Sequence, residues 1–367
     1  MTAMSLMTVL RCVDLDEMVT FVREQLDGRV ERISPADAPA EVVMTVAGSS
    51  VCIRRHERDE PVHLVLLADA DAMATTLTAP NGTTIEIRPE PEGVVVPPSV
   101  PSLSVVRSGG HFGVGRAGME YRDLLPDRWG GRFIASNIRI VDEGPVPDVV
   151  HAHRIRVQMI FCARGWVDVV YEDQGPPFRL HAGDCVLQPP GIRHRVLRNS
   201  ADLEVIEVGC PAVHDTIIDH DLVLPTTALD PDREFEGQRF VHHVAADAPR
   251  TTSLVDGMRM RDTGIGSATR GLAGARVIEA EGEGPTASPN QLTHAGEFVM
   301  IVVLRGTGTL VIDDHAIGPP LEPLDAVALP PGSRWCWTEW SGDLEFLEVS
   351  LPDGAVRPLR PPATAAP

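Results

Sequence analysis

His151-Ala-His153 sets two imidazoles two residues apart, and on a β-strand residues i and i+2 face the same side. Gln158 follows closely, and the segment Gly183-Asp-Cys-Val-Leu-Gln-Pro189-Pro-Gly191-Ile-Arg-His194 delivers a third imidazole just after a tight Pro-Pro-Gly turn. Two neighbouring strands carrying these residues could converge three imidazoles and one amide on a single point, a donor set suited to a divalent transition metal. Neutral ligands leave the full charge on the ion, so the site should draw an anionic, chelating molecule such as a carboxylate, enolate or phenolate. Gln158 is read either as a ligand or as a residue behind a three-histidine site. Arg193 and Arg195 flank His194 and should lie on the opposite strand face as solvated charges.

The elements that must position these residues are short strands punctuated by Gly and Pro, 32 of each in 367 residues. From about residue 108 the chain repeats itself. Gly118-Met-Glu-Tyr-Arg-Asp recurs as Gly257-Met-Arg-Met-Arg-Asp, and Gly144-Pro145 as Gly284-Pro285. His153 corresponds to His294, Gly165 to Gly306, Pro189-Pro-Gly191 to Pro330-Pro-Gly332, and Leu203-Glu-Val-Ile-Glu-Val to Leu344-Glu-Phe-Leu-Glu-Val. The nearly constant offset predicts a duplicated, mainly β domain. Residues 1–95 read differently, as a strand, a helix opened by Asp14, and three further strands, with a hairpin at Asn81-Gly82. The expected organisation is an α+β domain at 1–95, a linker at 96–107, a metal-binding repeat at 108–223 and a linker at 224–238. A repeat without a metal site follows at 239–353, then a disordered tail at 354–367.

Composition narrows the function. The formal net charge is -20, which repels phosphate backbones and anionic membrane surfaces, so neither nucleic acid nor a membrane is expected as partner. Every one of the 32 basic residues is arginine, which excludes a Schiff-base lysine and a lysine-bearing phosphate loop. Six scattered cysteines without a CxxC pair suggest buried free thiols and a cytoplasmic location. Cys162 and Cys185 lie in apolar strand contexts and are read as such thiols.

The histidine pattern resembles the two motifs of the cupin superfamily, G-x5-H-x-H-x3–4-E-x6-G and G-x5-P-x-G-x2-H-x3-N. Gly183 to His194 fits the second motif, with Asn199 one place late. In the first motif six residues, not five, separate Gly144 from His151, and Gln158 stands where the family usually has glutamate. The resemblance implies two cupin (double-stranded β-helix) barrels, arranged as in bicupin dioxygenases of the quercetinase type. It implies one divalent metal per chain at His151, His153, Gln158 and His194. Fe(II) is the first expectation, with Ni(II), Mn(II), Cu(II) or Zn(II) as alternatives.

By the repeat offset, Leu292, Val299 and Trp335 replace His151, Gln158 and His194, so the second copy keeps only His294 and should hold no ion. Trp335, Trp337 and Trp340 are expected to fill its interior, and Glu297 to be a surface carboxylate. Residues 1–95 resemble one βαβββ module of the vicinal oxygen chelate (glyoxalase and bleomycin-resistance) family, in degenerate form. Glu86 matches that family's metal-binding glutamate, but the first strand offers no partner ligand, so Glu86 is read as an exposed strand residue. The adjacent His242 and His243 face opposite ways on a strand and cannot share a metal. His111, His181, His214 and His220 receive no role.

The functional expectation is a metal-dependent dioxygenase acting on a small anionic substrate, as a homodimer. The alternatives are a metal-dependent isomerase, decarboxylase or cyclase, and a non-catalytic small-molecule binding protein.

Overall fold

The computed structural model describes residues 5–90, 93–284 and 290–359. The chain divides into two compact units, Met1–Gly93 and Val94–Pro367.

In the first unit, strand Thr8–Cys12 leads into helix Leu15–Gln25 and then strands Arg29–Ser34, Glu41–Val46 and Ser49–Arg55. The Asp14 carboxylate caps the helix by accepting from the Glu17 amide at 3.0 Å. Leu15, Met18 and Val22, spaced for one helical face, are buried against the sheet core of Leu10, Val42, Met44 and Ile53. The last strand pairs parallel to the first and antiparallel to Glu41–Val46. A separate three-stranded sheet follows, from His63–Ala68, Thr75–Thr78 and Thr84–Pro89. Its hairpin closes on the Ala79 amide, which donates to the Thr83 carbonyl at 2.9 Å, so Pro80, Asn81 and Gly82 form the turn and not Asn81-Gly82 alone. The buried Asn81 side chain is spent on the Arg11 carbonyl and the Thr83 amide, while Gly82 takes the left-handed backbone.

The second unit contains the duplication as two double-sheeted repeats. In the first repeat, a seven-stranded sheet includes Val157–Arg164, Cys185–Leu187 and Leu203–Cys210. The facing sheet includes His151–Arg154, Trp166–Tyr171 and His194–Asn199. The second repeat has the same plan, with Phe298–Arg305, Ala326–Leu329 and Glu345–Leu351 facing Leu292–His294, Gly308–Ile312 and Arg334–Trp340.

The repeats exchange strands. Ser104–Val106, expected to be linker, pairs with Ala326–Leu329 of the second repeat. Reciprocally, Val241–His243 pairs with Cys185–Leu187 of the first. Between the repeats lies an apolar core to which both contribute, centred on Trp129, Phe133 and Phe298. Phe133 and Phe298 stack with centroids 4.3 Å apart, and Trp129 meets Phe298 edge-on at 5.2 Å. Alternation explains this layer: on Leu203–Cys210, Ile206 and Val208 face the partner repeat while Leu203, Val205 and Glu207 face their own interior.

Two expectations fall here. Val356–Pro358, placed in a disordered tail, forms a strand against Leu292–His294, with Val356 buried; residues 360–367 lie outside the described residues. Glu297 is not a free surface carboxylate. It accepts from Arg132 at 2.6 Å and Arg156 at 2.9 Å, tying the second repeat to the first.

Candidate metal centre

His151 and His194 sit directly opposite each other on adjacent antiparallel strands, and His153 lies two residues along from His151 on the same face. The ligand-capable atoms of the three side chains all lie within 4.8 Å of one another. Two of the rings are oriented by backbone. His151 Nδ1 lies 2.7 Å from the Val149 carbonyl and His194 Nδ1 lies 3.0 Å from that of Ile192, so each Nδ1–H donates and each Nε2 lone pair faces the pocket, that of His151 accepting from Arg116 at 3.1 Å. His153 Nδ1 lies 3.1 Å from Thr216 Oγ1. Tyr171 stacks on His194 with centroids 5.3 Å apart, and its hydroxyl accepts from Gln188 at 2.7 Å.

Burial first, and the neighbouring imidazoles second, push His194 down to about 3 and His153 to about 2. Burial also lowers His151. All three are therefore neutral near pH 7, the protonation state in which imidazole ligates metal.

Gln158 reaches the same pocket from the facing sheet. Its Nε2 donates to Glu207 Oε1 at 2.5 Å, while its buried Oε1 has no hydrogen-bond partner. A buried carbonyl oxygen without a partner is unfavourable by about 1–3 kcal/mol. The donor set thus fits a divalent cation: three neutral imidazoles and one amide oxygen that lacks a partner.

Sequence reasoning missed several neighbours. Glu207 is one, although two acidic residues in the otherwise apolar, fully buried run Leu203–Cys210 were a usable signal. Arg116 is another: its guanidinium lies 3.1 Å from His151 Nε2 and is held by the buried carboxylate of Asp148. Asp148 also accepts from the Val196 amide at 2.9 Å. Nothing in the loop around Gly115-Arg116 marks it in advance. His214, left without a role, lines the pocket with its ring 5.3 Å from His153. The cavity above the histidines measures about 430 Å³ and is walled by aliphatic side chains, among them Met119, Ile138, Ile160, Val169 and Leu180.

The remaining candidates lie elsewhere. Arg193 pairs with Asp219 and Glu172 on the outside, and Arg195 is exposed. His242 stacks on Phe178 at 4.1 Å, away from the three histidines. Cys162 and Cys185 are buried thiols, and burial pushes Cys162 up to about 12. Glu86 is half-exposed between Arg88 and His63. In the second repeat His294 Nε2 lies 2.9 Å from the Leu329 carbonyl, and Trp335, Trp337 and Trp340 are packed in the interior. A bulge at Thr338 puts Trp340 on the same side as Trp337.

No family model matches the sequence, and no curated protein matches it. Solved structures do match the fold. An oxalate decarboxylase of Bacillus subtilis aligns over 73% of this chain and 81% of its own, at 14% identity and a TM-score of 0.51. The oxalate decarboxylase of Lactobacillus farciminis aligns over 73% and 90%, at 12% identity and 0.50. A salicylate 1,2-dioxygenase of Pseudaminobacter salicylatoxidans aligns over 70% and 86%, at 15% identity and 0.49. At such identities the likeness concerns architecture alone. The duplicated, double-sheeted part of this chain has the bicupin fold, with a clustered histidine site in its first repeat.

Proposed function

We propose that His151, His153, His194 and Gln158 hold one divalent transition metal, Fe(II) foremost, and that the protein is an oxygenase of small anionic, metal-chelating organic molecules. The observation that carries this reading is the unpartnered Gln158 Oε1 of a residue that lines one cavity of about 430 Å³ together with three neutral imidazoles. When bound, the ion would supply Lewis-acid and one-electron chemistry.

The chain's own residues do the rest. Arg116, fixed by Asp148, presents a guanidinium that can pair with a substrate carboxylate or enolate. The aliphatic wall takes a carbon skeleton larger than that of a bare dicarboxylate. Glu207 holds the Gln158 amide with its oxygen outward, and Thr216 steadies His153. The N-terminal unit is read as a degenerate module of vicinal-oxygen-chelate type without a metal.

Reconstitution with Fe(II) followed by oxygen-uptake and product analysis across enol, phenol and hydroxy-acid substrates tests the proposal. Uptake stoichiometric with product is expected. Turnover that continues under strict anoxia refutes the oxygenase reading and leaves the ion as a Lewis acid for isomerisation or decarboxylation.

A further inference from the structure

The second repeat has lost the histidine site but kept one carboxylate from it. Glu348 occupies the position that Glu207 holds in the first repeat, since Leu203-Glu-Val-Ile-Glu-Val and Leu344-Glu-Phe-Leu-Glu-Val coincide in the duplication. The strand registers agree: Glu207 faces Ile160 and Ser136 across its ladders, and Glu348 faces Ile301 and Arg276. In the first repeat this carboxylate is hydrogen-bonded by Gln158. The equivalent residue in the second repeat is Val299, which has nothing to donate.

Glu348 is only 6% exposed, and no described residue hydrogen-bonds or ion-pairs with its carboxyl. It lines a cavity of about 200 Å³ together with Leu254, Val255, Met260, Ile278 and Leu292. Arg276 lines it too, but its guanidinium is engaged by Asp353 at 2.5 Å and faces Asp262 at 3.7 Å. The Arg276 charge is thus already paired outside the cavity, which leaves Glu348 as the one carboxyl among the cavity's lining residues. Burial raises Glu348 to about 7, outweighing the opposite pull of the Arg276 charge.

We propose that this cavity is a second small-molecule site, independent of the metal centre, which takes a compact amphipathic cation: a benzene-sized apolar body bearing one ammonium group. An apolar cavity of roughly 150 Å³ accommodates benzene, so 200 Å³ leaves space for a ring and a short handle. The aliphatic wall holds the ring, and the ammonium donates to Glu348.

The test uses the full chain stripped of metal with a chelator, so that an amine has no ion to ligate. Benzylamine and benzyl alcohol are titrated at pH 8 by calorimetry, into the unaltered protein and into Glu348→Gln. The methionine methyl groups are followed by NMR. Benzylamine should bind about tenfold or more tighter than benzyl alcohol, the difference a buried charge-assisted hydrogen bond makes. Glu348→Gln should remove that preference and leave the alcohol's binding in place. The Met260 methyl should shift, while that of Met119, in the first repeat's pocket, should not. The NMR arm decides the question even where the variant folds poorly. Absence of binding, equal affinity for amine and alcohol, or a shift at Met119 in place of Met260 overturns the proposal.

Discussion

Replacing Glu207 separates a positioning role from mere packing. In the folded chain Glu207 accepts from the Gln158 amide at 2.5 Å in a buried setting, and that bond leaves Oε1 as the free end of the amide in the pocket it shares with the three histidines. Glu207→Leu preserves much of the volume and removes the acceptor. The Gln158 amide then loses a bond to a charged group worth about 1.5–3 kcal/mol. It is free to flip, which would present N–H donors to a cation. Glu207→Gln retains a carbonyl oxygen that still accepts. Metal affinity, measured by competition with a fluorescent chelator, should fall about 10–100-fold in Glu207→Leu. It should fall several-fold at most in Glu207→Gln. Gln158→Ala should fall as far as Glu207→Leu, and the double variant no further, because both changes remove the same proposed ligand. Full metal affinity in Glu207→Leu, or additive losses in the double variant, would refute the reasoning that the carboxylate acts through Gln158.

Three further outcomes follow from the geometry. Arg116→Met should leave metal content unchanged and raise KM for an anionic substrate about tenfold or more, since it removes a charge-assisted anchor; a change in metal content with an unchanged KM contradicts that role. Phe298→Ala, in the layer shared by the two repeats, should lower unfolding stability by about 3–5 kcal/mol in denaturant titration. Glu348 is raised from 4.5 to about 7 in the folded chain, so its contribution to stability is full below 4.5 and is lost as pH rises through 7. At about 1.4 kcal/mol per pH unit, this amounts to about 3 kcal/mol. Relative to the unaltered protein, Glu348→Gln should therefore gain stability between pH 5 and pH 8, and parallel pH profiles for the two would contradict it.

The three histidines were legible because strand periodicity and a tight turn are local properties. Residues i and i+2 must share a face, and Pro189-Pro-Gly191 must reverse or redirect the chain wherever it lies. The duplication was legible for a related reason, since Gly and Pro mark turns whatever surrounds them. What stayed hidden depends on which strands become neighbours. Glu207 meets Gln158 only because Leu203–Cys210 pairs with Val157–Arg164, a contact between residues 49 apart. Arg116 reaches His151 from a loop with no signature of its own. Ser104–Val106 reads as linker, and the pairing of Val241–His243 with the first repeat has no signal in the sequence, because strand exchange between repeats leaves each strand's own pattern unaltered. Glu297 was misread for the same reason: its two arginines come from the other repeat.

The pair Gln158–Glu207 also bears on how the charge of a bound ion is balanced. With glutamate as fourth ligand, one negative charge would sit on the ligand atom itself. Here the carboxylate stands one side chain further back and reaches the site through an amide. Donation of the amide N–H to a carboxylate shifts electron density toward Oε1, so the oxygen becomes a better donor while remaining neutral. The charge on the ion is then compensated over a longer distance, and Coulomb attraction falls with separation. The centre should keep more of its attraction for an incoming anion than a site with carboxylate ligation. Arg116, held at the rim by Asp148, adds a second positive group on the same side. Gln158→Glu would therefore set two carboxylates against each other where one hydrogen bond now stands. At least one should take up a proton in the absence of metal. With metal bound, affinity for the ion should rise and affinity for an anionic inhibitor should fall. An unchanged ratio of these two affinities would show that ligand charge at position 158 has no part in selecting the substrate.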